Sequence, residues 1–133
     1  MKKLIMLLAI TVMAAVVLAG CGDKDDTIQS CIISNTSYSS QKDLDLASQP
    51  DNLTANEKVY ASIHFIESPK GMEYTVKWYL NGTEIKTETK KTVNDMKDVV
   101  VYELDAKQAL AGTLKVEVIY KDTVLLTKEL KIQ

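Results

Sequence analysis

From residue 57 onward, apolar and polar positions alternate along the chain. Val59, Ala61, Ile63 and Phe65 take every second position of one run; Met72, Tyr74, Val76, Trp78 and Leu80 do so in the next. Leu114, Val116, Val118 and Tyr120 repeat the pattern. A period of two sends one set of side chains to a core and the other to solvent, so half-buried strands are predicted over 59–66, 72–80 and 114–120. Ser68-Pro69-Lys70-Gly71 separates the first two with turn chemistry, proline fixing φ and glycine admitting positive φ. Asn81-Gly82 follows the second run at once and predicts a tight hairpin. The returning segment, 83–93, is rich in Thr, Lys and Glu and reads as an exposed edge strand whose charges deter strand addition. Residues 99–104 predict a more apolar strand, 106–111 a helical turn ended by Gly112, Lys121-Asp122 a turn, and 124–132 a closing strand. Upstream, the β-branched residues of 28–34 suffice for a short first strand. Residues 35–56 are rich in Ser, Asn, Gln and Asp, with Pro50, and read as an irregular connection with an edge strand near Leu44 and Leu46.

About seven strands, with turns every eight to twelve residues and no long helical period after residue 20, predict an all-β antiparallel sandwich. Three segments carry a likeness: Glu57-Lys58-Val59-Tyr60-Ala61, Thr75-Val76-Lys77-Trp78-Tyr79-Leu80-Asn81-Gly82, and Gly112-Thr113-Leu114-Lys115-Val116-Glu117-Val118. On these the chain resembles the immunoglobulin-like ectodomains of small bacterial lipoproteins, with Trp78 where such domains often place a core Trp. No Cys pair flanks Trp78, and Leu114 stands where many relatives carry a corner Tyr. Such a likeness concerns the fold and transfers no function.

The beginning of the chain has a different grammar. Met1-Lys2-Lys3 is positive, sixteen uncharged residues follow, and Leu18-Ala19-Gly20-Cys21 closes the run. Positive start, apolar core and small residues in that order read as a secretory signal peptide. A helix over the apolar run would span about 24 Å at about 1.5 Å per residue, short of the ~30 Å hydrocarbon layer. Leu18-Ala19-Gly20-Cys21 resembles the lipobox of bacterial lipoproteins. That likeness implies a diacylglyceryl group on the Cys21 sulfur and cleavage just before it, small residues giving the peptidase access and the thiol forming the thioether. The expected organisation is signal peptide 1–20, lipidated Cys and polar tether 21–27, and one sandwich domain 28–133. Two acyl chains anchor a protein firmly where one is marginal.

Composition narrows the chemistry. Lys2 and Lys3 leave with the signal, so 14 lysines face 18 acidic residues in the mature chain, and there is no arginine. A mildly acidic domain without Arg is a poor nucleic-acid binder. With Cys21 lipidated, Cys31 stays a thiol, and its setting among apolar neighbours reads as packing.

His64 is the only histidine. It falls on the strand face opposite Ile63 and Phe65 and is expected to face solvent, so it predicts neither a zinc ligand nor a catalytic relay. A Cys31–His64 dyad would need an oxyanion hole, and no glycine-rich turn offers one. Asp23, Asp25 and Asp26 lack the spacing of an ion-wrapping loop. No catalytic, cofactor-binding or metal site is therefore expected, and no small-molecule substrate is evident. Tyr60 and Tyr79 lie opposite the core-facing positions and are candidate interface residues, on neighbouring strands of one sheet surface. The expectation is a non-enzymatic binding or accessory module, held at the membrane by lipid on Cys21 and contacting an envelope protein or polymer. The alternative is a structural or assembly subunit of an envelope complex that accepts a partner strand at a bare edge.

Overall fold

The computed structural model describes residues 26–133. Cys21, Asp23, Asp25 and the signal segment lie outside the described residues. A three-stranded antiparallel sheet has the order β1 (Ile28–Ser34), β3 (Val59–Ser68), β6 (Met96–Leu104). A five-stranded sheet has the order β2 (Asn52–Leu53), β8 (Thr123–Ile132), β7 (Gly112–Tyr120), β4 (Glu73–Leu80), β5 (Thr83–Lys91). β2 runs parallel to β8, pairing Asn52 with Lys131 and Leu53 with Ile132, and the other pairings are antiparallel. Among the described residues there is one helix, α1 (Gln41–Leu46).

The alternating runs fold as the pattern predicts. Val59, Ala61, Ile63 and Phe65 of β3 line one side of the space between the sheets, and Tyr74, Val76 and Trp78 of β4 with their neighbours Leu114, Val116 and Val118 of β7 line the other. The buried tyrosines are matched in shape and polarity. Phe65 stacks on Tyr74 with ring centres 3.9 Å apart. Tyr74 OH shares a 2.8 Å hydrogen bond with Ser68 Oγ, and Tyr102 OH donates to the Tyr74 carbonyl at 2.7 Å. Each buried phenol thus keeps a polar partner, and burial pushes the Tyr102 hydroxyl far above its ordinary pKa. Trp78 is fully buried, as a core Trp should be.

Asn81 and Gly82 both have positive φ, 51° and 86°, as a primed hairpin turn requires. Gly112 has a different task from the one expected. The 106–111 segment does make one turn, Ala109 N donating to the Asp105 carbonyl, but Gly112 opens β7 with φ 152°. A Cβ there would stand 2.7 Å from Asn81 Oδ1, the oxygen that accepts from Thr113 N at 2.9 Å. The glycine lets the hairpin turn lean on the start of β7.

Residues 35–56 also depart from expectation. Leu44 and Leu46 lie in α1, and the short strand forms later, at Asn52–Leu53. Ser40 caps the helix, its Oγ accepting from Asp43 N at 3.1 Å, and Asp43 places negative charge in the first turn. Leu44 is fully buried and Leu46 is exposed, so the helix seals one patch and stops. The segment is a strap. It leaves β1, crosses the outer face of the three-stranded sheet through α1, and joins the five-stranded sheet as β2.

On both flanks of the sandwich, side chains reach from one sheet to the backbone edge of the other. Lys86 and Lys90 of β5 donate to the carbonyls of Glu103 and Val101 on β6, the second at 2.6 Å. On the opposite flank Gln49 of the strap binds Ile33 on both sides, accepting from its N–H at 2.9 Å and donating to its carbonyl at 2.6 Å. Lys128 of β8 donates to the Cys31 carbonyl and to Gln49 Oε1. The side-chain amide of Gln49 thereby takes the place of a neighbouring strand's peptide group. Inward-pointing charge and covered backbone are how natural sheets avoid edge pairing.

Candidate functional site

The expectation that His64 faces solvent is overturned. The ring is 3% exposed because the strap lies across the outer face of β3. Its Nδ1 lies 3.1 Å from Asp45 Oδ1 on α1, and the same oxygen accepts from Ser30 Oγ at 2.7 Å. Nearby, Tyr38 N donates to Ser62 Oγ at 3.0 Å, a second tie between strap and sheet. Burial pushes the Asp45 carboxyl up. The hydrogen bonds from Ser30 and His64, and the charge of a protonated imidazole, outweigh it and hold the group below its ordinary 3.8.

Ser, His and Asp thus meet, in the wrong order for a relay. In a serine relay the carboxylate holds one ring nitrogen and the other faces the hydroxyl. Here hydroxyl and imidazole converge on one carboxylate oxygen, and His64 Nε2 is buried without a hydrogen-bond partner among the described residues. Chemically the arrangement is a clamp between β1, β3 and α1. Sequence reasoning missed it because a two-residue period tells which face a side chain takes and not what covers that face.

Cys31 points the other way on β1, into the core, 6% exposed. It sits beside Ile63 in the β1–β3 register while His64 pairs with Ser30, so the two side chains leave opposite faces of the sheet. Among the described residues no three His, Cys, Asp or Glu side chains converge to hold a metal ion.

The two tyrosines do not share a surface. Tyr60 belongs to β3 in the three-stranded sheet and Tyr79 to β4 in the five-stranded sheet, so their outward faces lie on opposite sides of the sandwich. Both are half-buried. Tyr60 lies opposite Glu103, whose carboxylate pairs with Lys58 at 3.2 Å. Tyr79 is bound into its sheet: its hydroxyl donates to Glu117 at 2.9 Å and Lys115 Nζ sits 4.5 Å from the ring centre. That carboxylate partner, helped by partial burial, raises the phenol's pKa above its ordinary value. Thr75–Thr89 and Thr87–Glu84 hydrogen bonds, at 2.7 and 2.6 Å, knit the rest of this outer face.

No protein-family model and no curated protein matches the chain. Solved structures do. An immunoglobulin-like protein from Pseudomonas aeruginosa superposes with a TM-score of 0.50 at 12% identity, over 83% of this chain and 94% of that one. The CARDB domain of a Pyrococcus furiosus protein is similar over 83% of this chain and 92% of its own, with a TM-score of 0.40 and 13% identity. The two-sheet topology and the first of these likenesses define the class: this chain is an immunoglobulin-like β-sandwich. At such identity the likeness is one of fold alone.

Proposed function

We propose that the chain is an exported bacterial lipoprotein, anchored by lipid on Cys21 outside the cytoplasm, whose sandwich serves as a non-enzymatic binding or accessory module for an envelope protein or polymer. The observation that carries the reading is Leu18-Ala19-Gly20-Cys21 at the end of a charged-then-apolar leader, with the first strand beginning only seven residues later at Ile28. The spacing leaves room for a tether and little else. Support for the non-enzymatic part comes from the Ser30–His64–Asp45 geometry, which ties three elements together instead of presenting a nucleophile. The assembly-subunit alternative drew on a bare strand edge. In the three-stranded sheet, groups on both edges are taken by Gln49, Lys128, Lys86 and Lys90, so that edge lends it no support.

Two measurements test the proposal. Cys21→Ser is expected to release the protein from the membrane fraction or leave an uncut precursor; normal cleavage with normal membrane retention refutes the anchor. Soluble residues 22–133 carrying Cys31→Ser are expected to capture a partner from native envelope extract. Tyr60→Ala and Tyr79→Ala, tested separately because they face opposite ways, then assign the partner to one sheet or the other. A full-length protein that only co-purifies with a fixed set of proteins, while the bait captures nothing, favours the assembly subunit.

A further inference from the structure

The sandwich has two ends, and the strand register says which loops belong to each. Ile28 pairs with Phe65, Ser68 with Met96, Glu73 with Lys91, and Tyr120 with Thr123. The start of β1 therefore shares an end with the 69–72 turn, the 92–95 loop and the Lys121-Asp122 turn. The other end carries Asn81-Gly82 and the 105–111 turn. Thr27 is fixed at the first end, its carbonyl accepting from Ile66 N at 2.9 Å. Only five residues lie between it and Cys21, six steps with a reach of at most about 22 Å at about 3.3–3.6 Å per residue.

This end also carries an unusual share of exposed apolar side chains. Among the described residues the large hydrophobics most open to solvent are Leu46, Val93, Met96, Leu110 and Val124, and three of these five lie here, with Val93 at 67% and Met96 at 50%. The loop that bears the first two is well built. The 9%-exposed carboxylate of Asp98 accepts from Val93 N, Asn94 N, Asn94 Nδ2 and Val99 N. Thr92 Oγ1 donates to the Pro69 carbonyl, Gly71 N to the Thr92 carbonyl, and Lys70 N to Asp95. Met96 holds a positive φ of 68°, a conformation a non-glycine residue adopts at a cost. A buried carboxylate, a knitted loop and a strained backbone thus hold two apolar side chains out in water.

We infer that this loop is a membrane-contact surface: Val93 and Met96 enter the bilayer interface beside the Cys21 lipid and set the domain upright on the membrane. The inference rests on the lipid-anchor reading. A tether this short keeps the loop at high effective concentration against the bilayer, so two side chains that would not hold a free protein suffice to orient an anchored one. The surrounding charges carry no positive excess: Lys70, Lys91, Lys97 and Lys121 stand among Asp26, Glu67, Glu73, Asp95 and Asp122, and Lys91 lies 3.8 Å from Glu73. The contact is therefore apolar and indifferent to anionic lipid.

Full-length lipidated protein in nanodiscs containing a gadolinium-chelate lipid tests this, in phosphatidylcholine alone and in a phosphatidylcholine–phosphatidylglycerol mixture. Amide broadening is expected to be several-fold stronger at Val93, Asn94 and Met96 than at Asn81 and Leu110, and equal in the two compositions. Val93→Asp with Met96→Asp is expected to abolish that bias while the protein stays in the membrane fraction and melts as the parent does. Equal broadening at both ends, with lipid on Cys21 confirmed by mass, overturns the contact and leaves the anchor standing. Broadening that appears only with phosphatidylglycerol overturns its apolar nature. Absence of lipid on Cys21 overturns the anchor itself and the contact with it.

Discussion

A single carboxylate oxygen, Asp45 Oδ1, joins three elements, and its protonation state has a cost that can be read. The fold holds this carboxyl below its ordinary 3.8, so the native state binds fewer protons than the unfolded chain as acid is added. Its contribution to stability is complete above 3.8 and is lost as pH falls through the lower native value. Urea unfolding across pH 2–6 is expected to show a shallower acid limb for Asp45→Asn than for the parent; identical limbs would contradict the clamp. Gly112 makes a second residue-scale case. Gly112→Ala forces a Cβ against the Asn81 amide at positive φ and is expected to cost about 1–3 kcal/mol, seen as a lower melting temperature. Of these residues the sequence announced little. Asn81 was legible as a turn residue, but its bond to Thr113 N and its pressure on Gly112 depend on a strand thirty residues away. His64 was misread for the same kind of reason: its partner arrives on a helix whose path over β3 no local pattern specifies.

Among the elements, the strap shows where pattern reading fails. Six helical residues are too few for a periodic signal, and a helix so short owes its existence to packing. The two leucines suggested an edge strand, and Ser40 and Asp43 take their roles as cap and first-turn residue only once the helix is formed. Gln49 gave no sign at all, because an amide that imitates a neighbouring peptide group is recognised only once Ile33 stands beside it. Gln49→Ala leaves both Ile33 groups without that partner and is expected to cost about 1 kcal/mol. Hydrogen exchange at the Ile33 amide should quicken by more than at core amides such as Val76; unchanged exchange would show that Gln49 does not guard the edge. On the other flank, β5 was correctly legible as a charged edge strand. What the sequence did not say is that Lys86 and Lys90 turn inward to the backbone of β6.

For the molecule as a whole, alternation sufficed for the class of fold because each long strand has one buried face. It did not say which strand joins which sheet. Tyr60 and Tyr79 fall on opposite faces because the chain changes sheets at the 69–72 turn, where β3 ends and β4 begins. The core is assembled from residues spread from Ile28 to Ile132, so its loss is cooperative. Removal of residues 128–133 is expected to leave a chain without a thermal transition; a residual two-state melt would show that the sandwich tolerates the missing edge. The late place of β8 in the chain also sets an order in time. A chain that emerges N-terminus first meets β1 early, but Lys128 and the Leu53–Ile132 pairing arrive only with the final residues. Ile28–Ser34 can pair within its own sheet once Leu104 is made, but until β8 arrives the five-stranded sheet that faces it is unfinished, and the closures that complete it are among the longest in the chain. The two sheets of such a polypeptide can close on each other only once β8 has been made, so its core forms late whatever its strands do early.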